Sequence, residues 1–324
     1  MKILILGKEI RNAKEIKCYT DMWSFFLIRA FISLGVDIKY QSLFDAKKED
    51  EAKFVANTLA AAKDCDAILS IPIRYFTTIP KQIGLELRRQ FKGWVAQIYD
   101  GSMLDSAPVD ITFTVRDDTW RYVNNKDRME RHLKFNKYVG WAANSNYFYP
   151  ENIEKNNDGI NIFIDHSAFD ETQHDYTLTF LMNLKNLKTK YRAKTLGNDG
   201  IVDVDINNIN VRPYNRKSVS IEEFSKVIRN SDIFIVTHKE SLGLCVLEAA
   251  MCGALVLTFP NCIVPDRLEL VNHVQLELGK KIDWELVINK LNKKDNYEKV
   301  KHFTWEAVAI KMLSYLVEPK RFKW

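Results

Sequence analysis

The chain has 324 residues, which is too long for one ordinary α/β domain and suits two domains of about 150 residues each. Hydrophobic residues make up 46% and charged residues 27%, so each half can bury a core, and the formal charge of +5 favours an anionic partner without selecting one. No apolar run reaches the ~18 residues that span a bilayer, which excludes a transmembrane helix. The first apolar run is too short for a signal peptide, and we expect a soluble, cytoplasmic protein without stable membrane insertion.

Short apolar runs alternate with helical patterns through the first half of the chain. Strands are predicted at residues 2–7, 36–40, 67–71, 94–99 and 111–115, and helices at 21–34, 51–63 and 80–90. Strands that alternate with helices in this way pair in parallel, because each helix carries the chain back to the start of the next strand. The first half is therefore predicted to be a parallel sheet with helices on both faces.

The alternation breaks at the polar stretch from Phe148 to Gly159 and then restarts. We place the domain boundary there, which gives an N-terminal domain of residues 1–150 and a C-terminal domain of residues 151–324. In the second domain strands are predicted at 160–164, 202–211, 233–237 and 254–259, and helices at 176–188, 220–230, 244–251 and over most of 284–316. Ser220 and Glu223 have the spacing of a capping box, which predicts a helix start.

The segment from Ser231 to Pro260 carries the strongest chemical signal. A strand runs into the loop Glu240-Ser241-Leu242-Gly243-Leu244, and a helix containing Glu248 follows. Such a loop lies at the carboxyl end of a parallel strand, where open α/β sheets bind ligands. A glycine lets the backbone approach a phosphate closely, and the N–H groups and dipole of the following helix favour negative charge.

This segment resembles the donor-binding unit of the retaining glycosyltransferases with the GT-B fold. Glu240 and Glu248 have the spacing of their E-x7-E signature, and ESLGLCVLEAAMCGALVLTFP is similar to their E-G-F-G-L…E-A-x-A-x-G-x-P-V-I pattern. Upstream, the stretch from Asn210 to Tyr214 resembles the part that holds the nucleobase, and the helix after Trp305 resembles the closing segment. The resemblance covers residues 200–316 and is loose before them.

The resemblance implies an α/β fold of two Rossmann-like domains that face a central cleft, with a C-terminal helix that crosses back to the first domain. It implies transfer of a sugar from a UDP- or GDP-sugar to an acceptor hydroxyl, with retention and without a prosthetic group or metal. Glu248 then binds the ribose, while Glu240 lies by the donor sugar as a catalytic residue. The other implied donor contacts are Ser241, Leu242, Gly243, Leu244, Arg212 and Tyr214.

Three positions depart from the family pattern. Ser241 replaces a glycine, Leu242 replaces an aromatic residue, and no Arg-x4-Lys pair stands early in the second domain to neutralise the diphosphate. In place of that pair, the sequence offers Lys239, or Lys185 at the start of a basic run, to neutralise the diphosphate. Basic runs are also typical of solvated faces, and Glu248 itself has the alternative of a solvated helix carboxylate.

The first domain offers less specific candidates for the acceptor side. Asp100 ends a predicted strand, and His166 follows the first strand of the second domain, so both side chains are predicted to border the cleft as catalytic residues. A turn residue and a surface histidine are the ordinary alternatives. The five cysteines show no CxxC spacing, which favours reduced, buried thiols over disulfides or a zinc site.

Several functions remain open from the sequence alone. The acceptor is a glycan, a lipid-linked sugar or a small molecule, with a hydroxymethylated base in DNA as the alternative. A degenerate fold that binds a nucleotide or glycan without catalysis is the alternative from another class. An NAD-dependent enzyme is disfavoured, because neither half opens with G-x-G-x-x-G.

Overall fold

The structure, a computed structural model, consists of two compact units, Met1–Trp141 with Trp305–Trp324, and Ala142–Thr304. The described residues are 1–16, 19–43, 50–72, 79–99, 109–114, 136–140, 142–151, 159–165, 171–197, 200–204, 219–238, 243–263 and 265–318. Each unit holds one six-stranded sheet, so the prediction of an α/β fold built on two parallel-rich sheets is confirmed.

The first unit contains a fully parallel sheet with strand order β2-β1-β3-β4-β5-β6. Its strands are β1 Lys2–Gly7, β2 Asp37–Ser42, β3 Ala67–Ser70, β4 Trp94–Tyr99, β5 Ile111–Thr114 and β6 Asn136–Tyr138. Helix α1 lies between β1 and β2, helix α2 is Glu51–Ala61 and helix α3 is Lys81–Gln90. The residues from Ile3 to Leu6 are completely buried, as expected for a strand with a neighbour on each side.

Helix α1 changes its winding partway along. It consists of α-helical Tyr19–Met22, π-helical Trp23–Leu27 and α-helical Ile28–Ser33. The π-helical turn is entirely buried and includes Trp23, whose ring lies edge-on to that of Trp305 with centroids 4.9 Å apart. Trp305 opens the C-terminal helix Trp305–Leu316, which belongs to this first unit. The predicted return of the last helix to the first domain is therefore confirmed.

The second unit contains a sheet with strand order β12-β11-β10-β7-β8-β9, in which only the β8–β9 pair is antiparallel. Its strands are β7 Ile160–Asp165, β8 Tyr191–Gly197, β9 Gly200–Asp203, β10 Ile233–Val236, β11 Leu255–Thr258 and β12 His273–Gln275. Its helices are α4 Glu171–Leu184, α5 Ile221–Arg229, α6 Leu244–Met251, α7 Pro265–Leu268, α8 Trp284–Asn289 and α9 Lys293–Val300.

The helix predicted at 176–188 ends earlier than expected, and part of the basic run after it lies on a strand. Helix α4 ends at Leu184, and Arg192 and Lys194 lie on strand β8, which pairs with β7 and β9. Ala193 and Leu196 on this strand are buried, while Arg192 is exposed. The strand was missed because its charged residues hide a short apolar pattern that becomes evident only when the neighbouring strands are present.

Candidate functional site

Helix α6 begins at the carboxyl edge of the second sheet. Strand β10 ends at Val236, Thr237 is completely buried, and Gly243 caps the helix with φ 65° and ψ 28°. Residues with a side chain rarely adopt this left-handed conformation, because the Cβ approaches the following carbonyl oxygen. No acidic residue lies in the first turn, so the partial positive charge of the helix dipole is not neutralised from within that turn.

Glu248 lies inside this helix, and its side chain is buried. Only 3% of the residue is exposed, and all eight residues of α6 are buried. The alternative of a solvated helix carboxylate therefore does not hold. A carboxylate removed from water is costly unless hydrogen-bonding or charged partners compensate for the lost hydration. Glu248 lies about 7 Å from Gly243 along the helix axis. A single bound nucleotide could therefore reach both the helix start and Glu248.

The far end of α6 is closed by a tight turn against helix α9. Cys252 is completely buried, and the pKa of its thiol is raised by burial and by the negative charge of Glu248, so the thiol stays neutral. Gly253 has φ 86°, and a Cβ added there would lie 2.7 Å from the carbonyl oxygen of Lys293. This close packing holds the carboxyl end of α6 against the start of α9.

A buried polar cluster lies where β7 and β10 end, at the same edge of the sheet. The Thr177 hydroxyl of α4 donates to the Thr237 hydroxyl at 2.7 Å, and Thr237 donates to the carbonyl oxygen of Asp165 at 3.3 Å. The Nδ1 atom of His238 is also 3.3 Å from that carbonyl oxygen. Asp165 is 5% exposed. Neither Thr177 nor Thr237 was among the predicted site residues; the available sequence signal is a threonine at the end of an apolar strand.

An aromatic pair flanks the same edge. The rings of Tyr176 and Phe259 are stacked, with centroids 4.6 Å apart and an interplanar angle of 17°. Phe259 directly follows β11 and is buried, whereas Tyr176 is partly exposed on α4. The stack packs α4 against the end of β11 at this edge of the sheet.

Four of the twelve site residues predicted from the sequence lie within the described residues. The predicted residues that lie outside the described residues are Glu240, Asp100, His166, Leu242, Ser241, Arg212, Tyr214 and Lys239. Those that the structure describes are Glu248, Gly243, Leu244 and Lys185. The first three are brought together by helix α6, with Leu244 buried as its first residue.

Lys185 lies elsewhere. Helix α4 follows the carboxyl end of β7 and returns the chain to the start of β8, so its last turn lies at the amino-terminal edge of the sheet. Lys185 is exposed directly after that turn, whereas Gly243 lies at the opposite edge. The structure therefore does not bring Lys185 to the start of α6.

A pocket of about 410 Å³ lies near the same end of α4, also away from Gly243. It is lined by residues around the α4 end and the start of α8, among them Asn183, Lys188 and Trp284. Asn183 accepts from the backbone N–H of Ile282 at 2.8 Å, and its carbonyl oxygen accepts from Trp284 Nε1 at 3.1 Å. These bonds join the two segments, so Lys188 belongs to a region distinct from the α6 start.

Two kinds of feature are not found in the part of the chain that the structure describes. No three His, Cys, Asp or Glu side chains there are grouped so that they could hold a metal ion. No described helix has both the length and the apolar character needed to cross a membrane.

The complete fold matches solved structures although the sequence does not match known families. Neither a family model nor a curated protein sequence matches the chain. The crystal structure of a glycosyltransferase from Rickettsia africae ESF-5 is similar with a TM-score of 0.65, 12% identity, and coverage of 99% of both chains. Anabaena Alr3699/HepE in complex with UDP-glucose is similar with a TM-score of 0.54, 12% identity, and coverage of 98% of this chain and 100% of that one.

A third solved structure has a similar fold over nearly the whole chain. The lipopolysaccharide outer core galactosyltransferase WaaB, in its apo form, has a TM-score of 0.53 and 11% identity, with coverage of 98% of this chain and 100% of that one. At such low identity the likeness establishes the fold and not the activity. The chain has the GT-B fold, with two parallel-rich α/β sheets in one polypeptide and a last helix that returns to the first unit.

Proposed function

We propose that the chain transfers a sugar from a nucleotide diphosphate sugar to an acceptor hydroxyl group. The observation that carries this proposal is the start of helix α6, where the left-handed Gly243 precedes a helix that buries Glu248. A helix start favours phosphate, and a carboxylate accepts hydrogen bonds from hydroxyl groups. A nucleotide diphosphate presents both complementary groups, because its ribose hydroxyls lie a short distance from its phosphates.

In this proposal the backbone N–H groups at Gly243 and Leu244 face the diphosphate, and Glu248 binds the ribose. The buried cluster of Thr177, Thr237 and Asp165 lies at the same sheet edge, where its hydrogen bonds join α4 to the ends of β7 and β10. The remaining donor contacts come from the sequence and stay predictions. They are Leu242 and Ser241 beside the diphosphate, Lys239 as its cation, and Arg212 and Tyr214 around the base.

UDP-sugars are the first donors to test. The similar HepE structure contains UDP-glucose, and a second structure of that protein contains UDP and glucose. GDP-sugars are the second choice, since nothing in the described residues selects the base. The proposal requires no prosthetic group. Residues 1–150 take the acceptor role, residues 151–324 take the donor role, and a cytoplasmic location remains a prediction from the sequence.

The reaction that we propose proceeds with retention. The acceptor oxygen bonds to the anomeric carbon on the face from which the diphosphate departs, while the bond from that carbon to the diphosphate breaks. The acceptor proton passes to the departing phosphate oxygen. The dipole and N–H groups of α6 stabilise the charge that develops there. Glu240 contacts the donor sugar, and Asp100 and His166 orient the acceptor.

Replacing Glu248 by glutamine tests the donor site. The amide keeps the shape but accepts ribose hydrogen bonds more weakly, so we expect the donor Kd to rise about 10- to 100-fold, or about 1.5–3 kcal/mol. Thermal-shift titrations with UDP-glucose, UDP-galactose and GDP-mannose measure this, because a ligand that binds only the folded state raises the melting temperature. Release of free sugar from the same donors measures turnover.

The matched control is Glu222→Gln, which changes an exposed glutamate on the neighbouring helix α5. It should leave donor affinity unchanged. Wild-type affinity in a folded Glu248→Gln variant would contradict the donor site. Donor binding without turnover, with any acceptor, would instead support the non-catalytic alternative.

A further inference from the structure

A row of uncharged polar side chains crosses the sheet of the first unit. Ser70 on β3 is in register with Gln97 on β4, Gln97 with Thr112 on β5, and Thr112 with Asn136 on β6. Residues in register on adjacent parallel strands project from the same face of a sheet. The exposed fractions are 1% for Ser70, 0% for Gln97, 1% for Thr112 and 5% for Asn136. We call these four residues the polar row.

The polar row marks the point where the apolar core of this face ends. Two residues earlier on the strands, Ile68 and Val95 are in register and pack in a cluster with Ile83 and Leu87 of helix α3. Two residues later on β5, Thr114 is in register with Tyr138. Along the strands, the side chains on this face therefore change from aliphatic to uncharged polar toward the carboxyl edge.

Three atoms of the polar row have no hydrogen-bond partner among the residues that the structure describes. They are Ser70 Oγ, Gln97 Oε1 and Asn136 Nδ2, whereas Gln97 Nε2 donates to Thr112 Oγ1 at 3.0 Å. Nearly all buried polar groups in native proteins are satisfied, because an unmade bond forfeits the hydration of the group. Three unsatisfied atoms in one row are a cost to the folded protein that a bound molecule would remove.

The row contains no charge, and Asp110, which directly precedes β5, is already paired. Asp110 accepts from Arg88 Nε at 3.1 Å and from the backbone N–H of Val95 at 3.0 Å. A phosphate or a nucleic-acid backbone needs cationic partners, which the row does not offer. A hydroxyl group both donates and accepts, so it suits the unsatisfied amide and hydroxyl atoms equally well. The row crosses three strand spacings, or about 14 Å, so its polar atoms are spread over a length that exceeds a single hydroxyl group.

We infer that the polar row binds the hydroxyl groups of a neutral carbohydrate, which is the acceptor of the proposed transfer. That the bound sugar is the acceptor rests on the proposed function. The binding of a neutral sugar to Ser70, Gln97 and Asn136 does not depend on it. It selects a sugar acceptor over a hydroxymethylated base in DNA. Ordered water alone is the competing occupant, because water also satisfies such atoms.

The experiment combines stability with sugar binding. Two variants remove the unsatisfied atoms, Gln97→Leu alone and Ser70→Ala with Asn136→Leu. Each variant removes unsatisfied atoms, but Gln97→Leu also removes the bond from Gln97 Nε2 to Thr112 Oγ1, so we expect the melting temperature to stay close to that of the wild type. Ligand-detected NMR with methyl α- and β-glucosides and galactosides measures binding, with and without UDP. We expect the wild type to bind at least one glycoside and each variant to bind it at least tenfold more weakly.

The control is Thr58→Val, because Thr58 is equally buried in this unit but its hydroxyl donates to the carbonyl oxygen of Phe54 at 2.8 Å. It should lower stability slightly and leave sugar binding unchanged. Unchanged sugar binding in the folded row variants, or no glycoside binding by the wild type, would overturn the inference in favour of water. Failure of the proposed function would be recognised separately, as the absence of any nucleotide-sugar shift while glycoside binding still depends on the row.

Discussion

Two helices of the second unit begin in opposite ways. Helix α5 starts with a capping box, in which the Ser220 hydroxyl accepts from the backbone N–H of Glu223 at 3.2 Å and the Glu223 carboxylate accepts from the backbone N–H of Ser220 at 3.0 Å. Helix α6 starts at Gly243, which has no side chain to act as a cap, and its first turn contains no acidic residue.

In the proposed function, the start of a helix serves stability in α5 and donor binding in α6. In α5 the protein's own carboxylates neutralise the positive end of the helix, since Glu222 and Glu223 both lie in its first turn. In α6 the first turn contains no carboxylate, and the buried Glu248 lies further along the helix. We therefore expect changes at α5 to affect stability and changes at the α6 start to affect donor binding.

The largest effect on stability should come from the far end of α6. Gly253→Ala adds a Cβ at φ 86°, 2.7 Å from the carbonyl oxygen of Lys293. The left-handed conformation and the clash together should lower the free energy of unfolding by about 2–4 kcal/mol. Urea denaturation measures this. Gly279→Ala is the control, because Gly279 has φ 72° but no atom within 4 Å of the added Cβ. An equal loss in both variants would show that packing against Lys293 contributes nothing.

A smaller effect on stability and a clear effect on binding are expected at the near end. Gly243→Asn introduces a residue that tolerates the left-handed conformation, but its side chain lies where the diphosphate should approach. We expect the free energy of unfolding to fall by about 1 kcal/mol. Donor affinity should fall at least tenfold, or about 1.4 kcal/mol. The measurements are urea denaturation and UDP-glucose titration.

Gly279→Asn is the matched control for that variant, since it adds the same side chain at a similar backbone conformation elsewhere in the unit. It should leave donor affinity unchanged. If Gly243→Asn binds UDP-glucose as tightly as Gly279→Asn does, the contrast between α5 and α6 would have no bearing on ligand binding.

The smallest effect is a pH dependence confined to α5. The Ser220 backbone N–H and hydroxyl lower the pKa of Glu223 from its ordinary value of 4.5. A lowered pKa means that the contribution to stability is present above pH 4.5 and is lost as the pH falls through the folded-state value. The stability difference between the wild type and Glu223→Gln should therefore shrink on acidification below pH 4.5. Thermal unfolding of both proteins from pH 7 to pH 3 measures it, and a constant difference would contradict the prediction.

Helix α6 shows how much local sequence can predict. Its bounds, Leu244–Met251, coincide with the predicted helix, and β1 and β4 also match their predicted residues. The capping box of α5 was likewise predicted from Ser220 and Glu223. These elements depend on interactions between residues that are close along the chain, such as caps, glycines and uninterrupted apolar runs, so their signals are present in the sequence.

Elements that depend on distant partners were missed. Strand β6 has three residues, Asn136–Tyr138, and forms because β5 supplies its hydrogen-bonding partner. The π-helical turn Trp23–Leu27 carries no sequence signal of its own, and it packs Trp23 against Trp305, far away in the sequence. In both places the stabilising contact comes from another part of the chain, which periodicity cannot reveal.

The sequence by itself determined the alternation of strands and helices and pointed to the segment from Glu240 to Glu248 through its glycine, its carboxylates and their spacing. Only the tertiary structure decided that Glu248 is buried, that Lys185 lies at the other edge of its sheet, and that Ser70, Gln97, Thr112 and Asn136 form one row. Burial and register depend on residues that pack together in space. In the first unit, residues that are hydrogen-bonded between neighbouring strands or their ends are separated by 15 to 64 positions along the chain. Local patterns cannot specify which distant residues will meet.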